Sequence, residues 1–336
     1  MQGEGQKGRI KSADFLRCLA VLYIVGVRHL DDYAADLYQT KVDILLGYGL
    51  LGVFVFLSGY LLSLSNFEVR GWRDFSRFFR KRFLRIYPLY ALALVLFVSC
   101  SIMSARDAIL SAFFLNILAG KAVPTLWFIE LIGLFYLLFP FVVYRFSLRK
   151  TGVILVALLM CLACTRKCFG LIDQRLFVHL PLFFLGIVAA RQSLFQEWLL
   201  GKRWLGISII LCVAASFLFL EAARYRSLFT MAFMISVVPI WFPIGHLCSN
   251  IINESVYQAV AYASFCMYLF HRVVFHVLLQ LYLPESNIGV VVYLSLLGMP
   301  VLLGVSYLVQ DLYDRGRMKL GQISGSTVSG GRSLAS

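Results

Sequence analysis

The feature that most constrains this chain is a succession of apolar runs, each close to the roughly 20 residues that an α-helix needs to cross a bilayer core. They fall near 13-30, 44-65, 87-104, 124-144, 151-165, 175-190, 204-221, 228-247, 256-282 and 288-312. A soluble domain carries about a quarter of its residues charged; here 14% are charged and 60% hydrophobic, with a mean hydropathy of +0.82. In lipid every backbone N–H and C=O needs an internal partner, which leaves helices as the only solution for such runs. The sequence therefore predicts an all-α, polytopic transmembrane bundle of about ten spans. No linker rich in Pro, Ser or Gly interrupts the runs, and no fixed-period repeat is visible. We divide the chain into an N-terminal segment 1-12, a transmembrane domain 13-313 and a flexible tail 314-336.

The basic residues orient the bundle. Stretch 108-119 is too short for an ordinary span. With it left uncrossed and the N-terminus inside, most of the 31 Lys and Arg lie on the cytoplasmic side. These include the run Arg70 to Arg85, the group Arg145, Arg149 and Lys150, and Arg191, Lys202 and Arg203. Letting 108-119 cross would send the later groups outside, against the positive-inside rule. Ten spans with both termini cytoplasmic is the expectation. Asp31, Asp32, Asp36 and Asp43 then form an acidic outside loop. The net charge of +14 reads as loop retention rather than nucleic-acid binding. The first apolar run keeps Arg17 and has no small-residue cleavage site after it, so it is expected to remain as the first span. Cys161, Cys164 and Cys168 have no His or acidic residue among them and read as packing residues, and no metal site is expected.

Ionisable groups inside spans cost about 2.5 to 3.5 kcal/mol each on insertion scales and mark sites by default. Here they are Arg17 and His29 at the first span, Glu130 in the fourth, His179 in the sixth, and His271 with Arg272 in the ninth. For His179 a structural interhelical hydrogen bond is the preferred reading.

Six segments carry a more specific signal: DFLRCLAVLYIVGVRH from Asp14, GVFVFLSGYLL at 52-62, RKRFLRIYPLY at 80-90, LWFIELIGLFYLLFP at 126-140, LPLFFLGI at 180-187 and SFCMYLFH at 264-271. In this order they resemble the acyltransferase-3 family of integral membrane O-acyltransferases. The resemblance implies transfer of an acetyl or short acyl group from cytoplasmic acyl-CoA to a hydroxyl of a carbohydrate, such as a cell-surface polysaccharide precursor. It implies a bacterial inner-membrane location, acetyl-CoA as donor substrate and no permanently bound cofactor. By motif position it implies catalytic roles for Arg17 and His29. Substrate or acyl-CoA binding is implied for Arg82, Arg85, Ser58, Tyr60, Trp127, Tyr136 and His271, with Glu130 and Arg28 as further candidates.

Imidazole is the side chain whose unperturbed pKa lies nearest neutrality, so His29 is the expected general base or acyl carrier. Arginines suit the phosphates of CoA through their planar forks. Arg82 and Arg85, three apart on one helix face, are preferred over Arg77, Arg80 and Lys81, for which positive-inside retention and lipid headgroups are as good an explanation as CoA. The family pattern has ten residues between the first-span Arg and His, and this chain has eleven. At about 100° per residue the extra position turns His29 off the face of Arg17. The spacing therefore predicts a π-bulge between Ala20 and Arg28, failing which Arg28 would take the family face. A transporter or flippase of a lipid-linked or sugar substrate is the competing reading, since buried charges and ten spans suit it equally. Oligomeric state is not legible.

Overall fold

The computed structural model describes residues 2–34, 40–65, 69–221 and 226–330. Asp36 of the acidic loop, Arg224 and tail residues 331–336 lie outside the described residues. The described chain is helical throughout, with no strand: α1 (Gln2–Gly26), a 3₁₀ turn (Arg28–Asp32), α2 (Lys41–Leu64), α3 (Trp72–Ser99), α4 (Ala105–Ala112), α5 (Leu115–Leu118), α6 (Trp127–Val143), α7 (Leu148–Phe169), α8 (Gln174–Arg191), α9 (Ser193–Leu200), α10 (Lys202–Glu221), α11 (Arg226–Ile251), α12 (Glu254–Leu281), α13 (Asn287–Tyr293), a π-helical turn (Leu294–Gly298) and α14 (Met299–Gly330). Among the described residues 8 helices are long and apolar enough to cross a membrane. Adding α6, a shorter apolar helix, and α1, whose apolar stretch is broken by Asp14 and Arg17, accounts for the ten runs read from the sequence. The protein is a polytopic helical bundle.

Stretch 108-119 does not cross. It folds as α4 and α5, of 8 and 4 residues, hinged at Phe114, whose φ of 58° is left-handed. Helices so short span only a fraction of the hydrocarbon core. Asp107 ties this segment to Lys121 at 2.8 Å, and the bonds from Lys121 and Ser104 hold its carboxyl below the usual range.

α1 is the axis of the bundle, wrapped by α2, α11 and α12. α2 packs along α8, and α12 along α14, while α7 lies at the rim with Thr151 its one buried residue. Cys161, Cys164 and Cys168 sit exposed on α7 and join no metal cluster among the described residues.

Two boundaries differ from the sequence reading. α3 begins at Trp72, well before residue 87, because Phe75 and Phe78 pack on Phe141 and Phe139 of α6 and draw the basic run into the helix. α14 continues to Gly330, past the 313 boundary drawn from composition. Its first turns beyond that boundary are fixed by an Asp311–Arg315 pair at 2.8 Å and by Asp314, which accepts from Tyr262 at 3.0 Å.

Candidate functional site

The expected π-bulge in the first span is absent. α1 runs regularly to Gly26, and the chain then breaks into the 3₁₀ turn Arg28–Asp32 that carries His29. Ending the helix re-aims the side chain as effectively as an inserted residue would, so the one-residue excess is absorbed at the helix terminus. The π-helical turn of this chain lies instead at Leu294–Gly298. Arg28 does not take the family face: it pairs with Asp31, and Asp43 lies 3.7 Å from it. Tyr23 donates to the same Asp43 at 2.5 Å.

His29 turns into the bundle and meets His271 of α12. Nδ1 of His29 lies 2.8 Å from Nε2 of His271. The two rings are nearly parallel, 15° apart, with centroids at 4.7 Å. His271 is fully buried, and its own Nδ1 is 2.9 Å from the Tyr268 carbonyl. The Tyr268 ring lies 5.9 Å from His29, and its hydroxyl donates to the Thr125 carbonyl at 2.6 Å. Arg272 bonds both the Thr125 hydroxyl and the Asp32 carboxylate, joining α12 to the 3₁₀ turn beside the histidines. Thr125 has a φ of 65°, a left-handed conformation that a β-branched residue rarely adopts and that the surrounding bonds must hold in place.

Arg17 is not part of this pair. It sits about 14 Å of helix before Gly26, 3.6 Å from Asp14 and 3.5 Å from Ser264. There it joins the arginines of α3. Arg85 is close enough for its charge to act on Arg17, Asp14 and Arg82. The Arg82 guanidinium is 5.8 Å from the ring centres of both Phe78 and Tyr136, and its Nε is buried without a partner. Arg77, Arg80, Lys81 and also Arg85 are exposed, and Arg82 alone of these is half-buried. The structure therefore gathers the expected residues into two clusters along α1: His29, His271 and Tyr268 at one end, Arg17, Arg82, Arg85 and Tyr136 toward the other.

The other expected residues stand apart. Tyr60 is 1% exposed, stacked on Phe56 and edge-on to Phe242, in the packed core. Ser58 donates to Phe54 O of its own helix. Trp127 is covered by Arg175, whose guanidinium lies 4.6 Å from the ring centre. Glu130 is fully buried and acts on the short helices: it accepts from Ser111 at 2.7 Å and from the Ile117 N–H at 3.0 Å. Among the described residues His179 has no interhelical partner: its Nδ1 lies 2.7 Å from Arg175 O of the same helix, and its buried Nε2 is unpaired.

Three features were not found from sequence. Thr125 gave no signal, because its residue type argues against the conformation it adopts. Asp32 was read only as loop charge. A cavity of about 700 Å³ opens where α2, α6 and α8 end, lined by Ser63, Arg70, Tyr144, Arg145, Phe146 and Arg191. Its arginines had been read as topology markers.

These elements define a multi-pass membrane protein with a contacting histidine pair, one member buried and one half-buried, at one end of its central helix and an arginine cluster toward the other. Comparison with protein families gives the particular class: the acyltransferase domain profile of the acyltransferase-3 family matches residues 10–309, and the chain belongs to that family. It is a membrane acyltransferase. Neither curated proteins nor solved structures returned a match.

Proposed function

We propose that the protein transfers an acetyl or short acyl group from acyl-CoA to a hydroxyl of a carbohydrate, such as a cell-surface polysaccharide precursor, with His29 as the group that activates the hydroxyl. The observation that carries this reading is the contact of half-buried His29 with buried His271, ring nitrogen to ring nitrogen at 2.8 Å. Ionisable groups set within spans mark functional sites by default.

The donor side rests on the arginines. Arg17 and Arg82 lie near Tyr136, with Asp14 as the carboxylate beside Arg17 and the exposed Arg85 close enough for its charge to act on both arginines. Such a cluster suits the phosphates of CoA, and the cavity beside Arg145 and Arg191 lies toward the same end of the bundle. On this reading that end faces the cytoplasm, both termini included, and the membrane is the bacterial inner membrane. The long pantetheine arm carries the thioester along α1 toward His29, and the acceptor reaches the histidine from the opposite side. His29 then acts as general base in direct transfer or forms an acyl-enzyme.

The test is acyl transfer by purified protein given radiolabelled acetyl-CoA and a carbohydrate acceptor. Transfer or CoA release that disappears in His29→Ala supports the reading. Unchanged turnover in that variant, or uptake of the sugar into vesicles without acylation, counts against it.

A further inference from the structure

We infer that His271 is a positioning residue that sets the tautomer of His29, leaving Nε2 of His29 as the atom that takes the acceptor's proton. The inference rests on the reading of His29 as base, and it names the atom and the residue that prepares it.

The Tyr268 carbonyl oxygen can only accept, so Nδ1 of His271, 2.9 Å away, carries a hydrogen. A neutral imidazole has one N–H, so Nε2 of His271 presents a lone pair. That lone pair faces Nδ1 of His29 at 2.8 Å, and Nδ1 must therefore be the donor. The single hydrogen of the His29 ring is now placed, and its Nε2 is left as the free base. Among the described residues no carboxylate contacts either ring, and Arg272 follows His271 in the chain, so in the resting protein a second proton on the pair would have no counter-ion, and one is supplied only by the oxyanion that forms as the hydroxyl attacks.

The two rings are nearly parallel, 15° apart, and a nitrogen–nitrogen distance of 2.8 Å is too short for face-to-face stacking, so the contact runs between ring edges. The far end of the chain is also anchored, because the Tyr268 hydroxyl is held by the Thr125 carbonyl at 2.6 Å and its ring packs on Phe128 at 5.4 Å. His29 needs this support. It stands beyond the end of α1 in a short 3₁₀ turn, where helix packing alone does not fix a side chain.

Nε2 of His29 takes the hydrogen of the acceptor hydroxyl as its oxygen bonds to the thioester carbonyl carbon. The C–S bond breaks, and the departing thiolate of CoA recovers that proton from Nε2. Nδ1 keeps its hydrogen on His271 throughout. A carbonyl at the end of the relay orients the base without adding charge, the part that a buried carboxylate plays in serine hydrolases.

The experiment is solid-state NMR of the full-length protein in bilayers with ¹⁵N-labelled histidine, assigned by difference against His29→Ala, together with kinetics of His271→Leu and His271→Gln. Glutamine places an oxygen acceptor near the position of Nε2, whereas leucine offers none. Expected are a His29 ring protonated at Nδ1 in the parent and in His271→Gln, and a change of tautomer in His271→Leu. In His271→Leu kcat should fall about 100-fold with donor and acceptor KM little changed, and His271→Gln should recover at least tenfold of that loss. A parent His29 protonated at Nε2 overturns the proposal, as does a folded His271→Gln no more active than His271→Leu. The tautomer is read without turnover, so a parent protein with the Nδ1–H form but no acyl transfer would remove the function and leave the relay standing.

Discussion

Gly59 of α2 lies against the backbone of Phe183 on α8 so closely that a Cβ at that position would overlap the Phe183 carbonyl oxygen. Gly186 repeats the relationship in the other direction, with the Phe56 carbonyl as the obstruction. Close backbone approach at small residues is how membrane helices gain packing where no hydrophobic force distinguishes lipid from protein. Because carbonyl oxygens rather than flexible side chains block the space, the two helices must separate to admit a methyl group. Gly59→Ala and Gly186→Ala should each cost about 3 kcal/mol or more. Unfolding in detergent measures this, and a variant as stable as the parent would show that the helices are freer to move than their packing implies.

Glu130 makes a different kind of contact. Its two carboxylate oxygens take a hydroxyl from α4 and a backbone N–H from α5, so that the uncrossed segment is pinned to α6. Glu130→Ala leaves two buried donors unpaired and should cost about 3 kcal/mol, while Glu130→Gln, which keeps one acceptor, should cost about half as much. Turnover per folded molecule should hold in both. A Glu130→Gln protein of normal stability but without acyl transfer would move this residue into the chemistry.

The contrast between these positions shows how far the sequence could be read. The spans were legible because hydropathy and length are imposed by the bilayer, and the family motifs brought out His29, Arg82 and His271 as isolated names. What the sequence could not supply was phase. Counting residues along one helix put Arg17 and His29 on different faces and asked for a bulge, whereas the chain ends α1 at Gly26 and reorients. The partner of His29 lies 242 positions away, a pairing set by how α1 and α12 cross. Ser58, Gly59 and Tyr60 form a contiguous motif, yet the structure uses Gly59 for approach and Tyr60 for packing.

Arg272 and Asp32 close the bundle beside the histidines, and Arg272 also holds the strained Thr125. Asp32 is 43% exposed, so water screens the ion pair and its direct worth should be small. A double-mutant cycle over Asp32→Asn and Arg272→Gln should return a coupling of about 1 kcal/mol in stability. Thr125→Gly removes the steric cost of a left-handed backbone but also the hydroxyl that Arg272 uses. Its net gain should therefore be larger in an Arg272→Gln background, where that hydrogen bond is already gone, than in the parent. Additivity of all three substitutions within about 0.3 kcal/mol would argue that they do not form one network.

The α3 arginines separate recognition of a donor from attraction to a charged membrane. Arg82 is turned inward between Phe78 and Tyr136 with a buried Nε that has no protein partner, while Arg80, two positions earlier, is exposed. Both carry the same charge and reside on the same turn, so a general positive field would weigh them alike. A charge-assisted hydrogen bond from the inward guanidinium to a phosphate is worth about 1.5–3 kcal/mol, which corresponds to about 10- to 100-fold in affinity. Arg82→Ala should weaken CoA binding by at least the lower figure, and Arg82→Lys should restore only part of it, since an ammonium keeps the charge but loses the planar fork. Arg80→Ala should change affinity less than threefold, a difference that fades further as salt screens the surface. Calorimetric titration of CoA into the purified protein decides the matter: equal losses in Arg80→Ala and Arg82→Ala would mean that the basic run acts as a field and that the inward arginine has no privileged contact with the donor.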